Sequence, residues 1–248
     1  MVRYAHDKQK TTYNRNMADV NLTVPTLFYA LVGGILPALF WLWFWMQEDK
    51  LHPEPRGKIL LAFLGGMVAV VLVYPFEKWA YASWGMTTTT LILWAIIEES
   101  AKFLMVTITV LRSKAFDEPI DAMEYLITCA LGFAALENVL FILNPLLEGH
   151  AFQGLITGNM RFIGASLLHV VSSAVLGYCI AREFYRSRAL KIAWRAIGLA
   201  IAIALHTVFN MFIIYDNGSK IFIVFSVVWI ASLGVLLLFE KTKKLKAE

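Results

Sequence analysis

Seven apolar runs, separated by short polar stretches, organise this chain of 248 residues. They cover roughly Val24–Met46, Ile59–Phe76, Thr87–Leu111, Ile120–Leu147, Phe162–Ala181, Ile192–Ile214 and Ile221–Phe239. A helix rising about 1.5 Å per residue needs about 20 apolar residues to cross the hydrocarbon of a bilayer, and these runs are of that order. Trp41, Trp43 and Trp45 close the first run, and Glu77, Lys78, Trp79, Tyr81 and Trp84 follow the second, which is the chemistry of a membrane interface. Pro53 and Pro55 stop any helix between the first two runs, and the charged segment Arg112–Pro119 separates the third from the fourth. Gly149–Met160 is expected to form a short re-entrant or interfacial helix. The pattern predicts an all-α, polytopic membrane helix bundle of about seven transmembrane helices. A polar N-terminal tail (1–23) precedes the membrane domain (24–240), and a basic tail (241–248) follows it.

Composition agrees. Hydrophobic residues make up 59% of the chain and charged residues 16%, with a mean hydropathy of +0.64. A soluble domain carries about a quarter charged residues, so lipid is the solvent for most of this surface. The first 20 residues lack a signal-peptide cleavage site, and the apolar run after them is too long for one. Cys129 and Cys179 lie inside apolar runs with no C-x-x-C spacing and are read as buried core residues. The net charge of +4 comes without a basic patch interleaved with aromatics, which argues against a nucleic-acid partner. Lys and Arg on alternate sides of the spans number seven, N-terminal tail included, against thirteen. The richer side is expected to be cytoplasmic, so the N-terminus lies outside and the C-terminus inside a multi-pass protein of the cell membrane.

Ionisable residues within hydrocarbon are costly and mark function by default. The first, second and seventh runs have none in their interiors. The third to sixth carry Glu98, Glu99, Lys102, Glu137, His169 and His206. At about 1.5 Å per residue, Glu98 lies roughly 17 Å from the outer end of its span, Glu137 roughly 15 Å, and His169 and His206 roughly 11–12 Å. Four residues on four helices thus reach similar depth in the outer half of the bilayer, where they can surround a small wet cavity. Each has a neighbour one turn away: Lys102 for Glu98, Phe133 for Glu137, Ser173 for His169 and Asn210 for His206. Glu99 is rotated about 100° from Glu98, so both carboxylates reach the cavity only from its rim. A structural account stands beside this one: an intrahelical Glu98–Lys102 ion pair, and His or Glu137-Asn138 as interhelical hydrogen-bonding residues.

The chemistry such a cluster allows is general-base activation of water for attack on a carbonyl, with His206 and Asn210 as donors to the oxyanion. No Ser/His/Asp set and no H-E-x-x-H motif is present. Glu137, His169 and His206 also form a candidate zinc ligand set that leaves a position for water. The sequence leaves metal-activated and carboxylate-activated water as alternatives.

The segments E-E-S-A-K (Glu98–Lys102), G-F-A-A-L-E-N (Gly132–Asn138), H-V-V-S-S (His169–Ser173) and H-T-V-F-N (His206–Asn210) resemble the four motifs of the PrsW family of intramembrane proteases. That family belongs to the superfamily of CAAX prenyl endopeptidases and bacteriocin-immunity proteins. Asp49, Pro53, Glu54 and Pro55, the E-P-I-D segment Glu118–Asp121, and Arg161 extend the likeness, which covers Val24 to Met211. The resemblance implies hydrolysis of a peptide bond in a membrane-anchored, single-span protein of the anti-sigma-factor class, cut on its extracytoplasmic side. It implies Glu98 as general base, Glu99 as its modulator, Lys102 tuning both, and His206 with Asn210 as the oxyanion-stabilising pair. His169 would be a metal ligand or a second acid/base. Asn138, Arg161 and Ser173 are supporting residues. Glu137 stands where prenyl endopeptidases carry His, which argues against CAAX processing. A proton- or ion-coupled transporter and a non-catalytic immunity or binding protein are the competing classes.

Overall fold

The computed structural model describes residues 22–50, 52–215 and 220–246. The polar tail expected over 1–23 lies outside these but for its last two residues. The described residues form eight α-helices: α1 (Val24–Trp45), α2 (Arg56–Trp84), α3 (Thr88–Val106), α4 (Asp121–Leu147), α5 (Ala151–Met160), α6 (Ser166–Glu183), α7 (Arg188–Tyr215) and α8 (Ile221–Thr242). Single π-helical turns extend α3 through Thr107–Leu111 and join α5 to α6 through Arg161–Ala165. The chain is an all-helical, multi-pass membrane protein. Among the described residues, six helical segments, with α5 and α6 counted as one, are long and apolar enough to cross a membrane. The seventh, α3, has the length with its π turn but carries Glu98, Glu99 and Lys102.

Local chemistry sets the helix ends. Thr23 caps α1 by accepting from the Thr26 amide at 3.2 Å, and Thr87 caps α3 through the Thr90 amide at 3.4 Å. Gly85, at φ 64°, ends α2 in a left-handed conformation. Two boundaries differ from the hydropathy pattern. α2 continues two turns beyond Phe76, because no breaker intervenes before Gly85, so Glu77 lies within the helix rather than after it. The segment Gly149–Met160 is not a separate re-entrant element: α5 runs into α6 as one 33-residue segment, Ala151–Glu183.

Helix α4 is the axis of the bundle and packs against α1, α2 and α6. From Asp121 to Ala135 every one of its residues is buried. The crossing of α2 with α4 is backbone on backbone. A Cβ on Gly66 would overlap the carbonyl of Cys129, and one on Gly132 would overlap that of Phe63. Small residues at such crossings permit close packing where lipid offers no hydrophobic drive between helices. The outer faces of α1, α2 and α8 are apolar and exposed (Leu36, Phe40, Val71, Leu72, Phe222, Ile230), as a lipid-facing surface requires. Cys129 and Cys179 are buried free thiols.

Candidate active site

The expected polar residues of α3, α4, α6 and α7 converge. On α3, Lys102 Nζ donates to Glu99 Oε1 at 2.5 Å and to His169 Nδ1 of α6 at 2.9 Å. Glu99 Oε1 also accepts from His206 Nδ1 of α7 at 2.8 Å and from Ser172 Oγ at 3.3 Å. Glu99 and Lys102 are each 1% exposed. The intrahelical ion pair is therefore Glu99–Lys102, at i,i+3, where the spacing suggests Glu98–Lys102.

Glu98 is left for the cavity. Its Oε2 is buried without a hydrogen-bond partner and lies 3.8 Å from His206 Nε2. The imidazoles of His169 and His206 meet edge to face with centroids 5.1 Å apart. His169 Nε2 approaches Glu137 Oε2 at 3.0 Å. The same oxygen accepts from Arg161 Nη2, while Arg161 Nε donates to Asn138 Oδ1 at 2.5 Å. Asn138 in turn donates to Ser166 Oγ at 3.0 Å. Arg161 is thereby fixed over Glu137, with its guanidinium against the Phe141 ring at 4.0 Å.

The π turn that carries Arg161 also ties the bundle together. A π turn leaves carbonyls outside the regular i→i+4 ladder. Here the Phe162 carbonyl accepts the indole N–H of Trp41 on α1 at 3.2 Å, and the Ile163 carbonyl accepts that of Trp229 on α8 at 3.1 Å.

These groups face a cavity of about 600 Å³. Glu98, Glu137, Arg161, His169, His206 and Asn210 contribute its polar wall, and Val70, Tyr74, Leu140, Phe209, Ile213 and Phe225 an apolar one. Glu99 and Lys102 are not on that wall and act from behind it. Two residues escaped the sequence. Glu77 lines the cavity together with Glu98; its setting among Lys78, Trp79 and Tyr81 has the composition of an interface. Ser172, at i+3 from His169, reaches Glu99, whereas the expected neighbour Ser173 is buried with its hydroxyl unpartnered.

The family model described as PrsW family intramembrane metalloprotease matches residues 54–236. Relatives that carry the name Protease PrsW include the following three. That of Bacillus subtilis (strain 168) is 26% identical over 186 residues, 73% of this chain and 80% of the relative. That of Geobacillus kaustophilus (strain HTA426) is 28% identical over 158 residues, 61% of this chain and 65% of the relative. That of Clostridioides difficile (strain 630) is 24% identical over 199 residues, 77% of this chain and 80% of the relative. No solved structure matches the chain.

The donors present fit the metal that the family description implies. Glu98, His169 and His206 are all buried, and each offers a ligand atom within 4.8 Å of the others; to ligate, His169 would exchange its contact with Lys102 or with Glu137 for the metal. Two imidazoles and a carboxylate are a zinc-type donor set. Glu99, on His206 Nδ1, is the carboxylate partner that orients a ligating imidazole. Four carboxyl groups (Glu77, Glu98, Glu99, Glu137) stand against three cations (Lys78, Lys102, Arg161), a formal negative excess of one that favours a bound cation. Glu137, expected among the ligands, is instead the group that Arg161 and His169 share.

Proposed function

The chain belongs to the PrsW family of intramembrane proteases, and from that premise we propose that it hydrolyses a peptide bond of a membrane-anchored, single-span protein inside this cavity. The observation that carries the proposal is Glu98: a buried carboxylate with an unpartnered oxygen, on a cavity wall it shares with His169, His206 and Glu137. The apolar wall suits an extended, apolar segment of substrate, and the polar wall suits the bond to be cut. Glu98 takes a proton from water, and the hydroxyl attacks the scissile carbonyl. His206, held by Glu99, and Asn210 on the same wall donate to the oxyanion that forms. The proton on Glu98 is then delivered to the amide nitrogen as the C–N bond breaks. Arg161 keeps Glu137 in place beside His169. Were the family's metal bound, Glu98, His169 and His206 would hold it in exchange for the roles just given to Glu98 and His206, and the metal would supply Lewis acidity and a more acidic water.

By resemblance the substrate is of the anti-sigma-factor class, and cleavage falls in the outer half of the bilayer. The test is co-expression with a single-span, membrane-anchored anti-sigma factor. Wild type is expected to release its extracytoplasmic portion, and Glu98→Gln, folded by gel filtration and thermal unfolding, to lower the rate by about 10²–10⁴-fold. Cleavage at the wild-type rate by Glu98→Gln overturns the assignment.

A further inference from the structure

A second group of acids gathers about 24 Å along α4 from Glu137, counted as 16 residues at about 1.5 Å each. Glu54, in the connection between α1 and α2, Asp117, in the connection before α4, and Asp121, at the start of α4, each offer a carboxylate oxygen within 4.8 Å of the others. The loop is built around Asp121. It is 1% exposed, and its Oδ2 accepts the amides of Asp117 at 2.9 Å and Glu118 at 2.8 Å. Tyr125, one turn along, donates its hydroxyl to Glu54.

Asp49 supplies the independent observation. It is 9% exposed, and its buried Oδ2 has no hydrogen-bond partner. Asp49 lines a cavity of about 520 Å³ together with Glu54 and the buried Glu124, close enough for the three charges to act on one another. Lys243, whose charge reaches Asp49 and Glu124, is already committed to Glu48 at 3.1 Å and Glu240 at 2.7 Å.

We propose that Glu54, Asp117 and Asp121, with the unpartnered Asp49 on the wall of the cavity that Glu54 also lines, form a binding site for a hard divalent cation of the Ca²⁺, Mg²⁺ or Mn²⁺ class. All the donors are oxygens, which hard cations select over zinc-type sites built on imidazole or thiolate. The ion would clamp the α1–α2 connection to the start of α4. The two helices that begin there carry Glu77 and Glu137 to the other cavity. This site is distinct from the zinc-type group in position and in ligand chemistry.

The experiment uses Mn²⁺ as probe. The His169→Ala/His206→Ala double variant, which lacks the imidazole ligands, is purified in detergent, stripped with chelator and titrated with MnCl₂ while free Mn²⁺ is followed by electron paramagnetic resonance. One Mn²⁺ per chain is expected, with a dissociation constant below about 1 mM, displaced by Ca²⁺ or Mg²⁺. Glu54→Gln or Asp49→Asn on the same background is expected to weaken binding at least about tenfold, the loss of one charged ligand. No saturable Mn²⁺ at about 1 mM, or binding unchanged by both substitutions, overturns the proposal. If either variant fails to fold, the titration of the parent alone still decides, because absent binding there is sufficient to refute it.

Discussion

Lys102 is the cation on which the α3–α6–α7 contacts depend, and removing it isolates what the pair is worth. In Lys102→Met the side-chain volume is nearly kept and the charge lost. Glu99 then sits 1% exposed with His206 Nδ1 and Ser172 Oγ as its donors, and His169 Nδ1 loses the donor at 2.9 Å. Two unit charges 2.5 Å apart attract by about 6–7 kcal/mol at an effective dielectric constant of about 20. Desolvation of the ammonium offsets part of this, so the single substitution is expected to cost about 3–5 kcal/mol, the range for leaving one partner of a buried pair behind. The double variant Glu99→Gln/Lys102→Met removes both charges, and the amide oxygen introduced in place of the carboxylate can still accept from His206. It is expected to lie within about 2 kcal/mol of wild type. Unfolding of purified protein in mixed detergent–dodecyl sulfate micelles measures all four corners of the cycle. A coupling of at least about 2 kcal/mol is expected. Single costs that add within about 0.5 kcal/mol would refute the account, since that is the behaviour of independent sites.

Three further outcomes follow. Gly132→Leu places a side chain where the Phe63 carbonyl lies and should destabilise the bundle by at least about 3 kcal/mol in the same unfolding assay, the upper range of overpacking; an effect under about 1 kcal/mol would mean that α2 and α4 can separate without loss. Purified wild type should carry one zinc per chain by elemental analysis, lost in both His169→Ala and His206→Ala, with cleavage stopped by chelator; no stoichiometric metal and chelator-resistant cleavage would leave Glu98 to activate water alone. Asp49 lies outside the spans with its carboxyl held up by burial, then by Glu118, against opposing pulls from His52 and Lys243. A raised acid binds more protons folded than unfolded, so its contribution disfavours folding increasingly as pH rises above its ordinary value of 3.8. In chelator, Asp49→Asn should therefore gain stability relative to wild type as pH climbs from about 4 toward neutrality, and a pH-independent difference in melting temperature would count against that placement.

The helices were legible because lipid-facing and core residues are both apolar, so each span announces itself as a run. What the runs do not carry is which polar residues meet. Glu77 reads as interfacial because Lys78, Trp79 and Tyr81 surround it, yet α3 approaches that end of α2, with Trp94 donating to the Glu77 carbonyl at 2.9 Å. Helical spacing permits Lys102 to reach either Glu98 at i+4 or Glu99 at i+3. The choice is made by His206, Ser172 and His169, which belong to other helices and add three further polar contacts on the Glu99–Lys102 side. Arg161 looks like the edge of a span because a lone guanidinium does not belong in hydrocarbon. Its neutralising partner, Glu137, lies 24 positions earlier in the chain.

Arg161 and His169 both reach Glu137, and the backbone between them explains how. In a regular helix each residue turns by about 100°, so eight residues turn by about 800° and leave the two side chains about 80° apart. That angle would direct Arg161 well to one side of the face that carries His169. The π turn at Arg161–Ala165 amounts to one inserted residue within an otherwise regular helix. With one residue absorbed, the effective separation is seven, or about 700°, and the two side chains lie within about 20° of one another. The carbonyls displaced by the insertion are those taken up by Trp41 and Trp229, so the irregularity leaves few buried acceptors stranded and is held by two neighbouring helices at once. The same turn thus aligns a fixed cation with the imidazole beside it on one carboxylate. It makes that alignment depend on α1 and α8, neither of which contributes a charged side chain to the cavity wall.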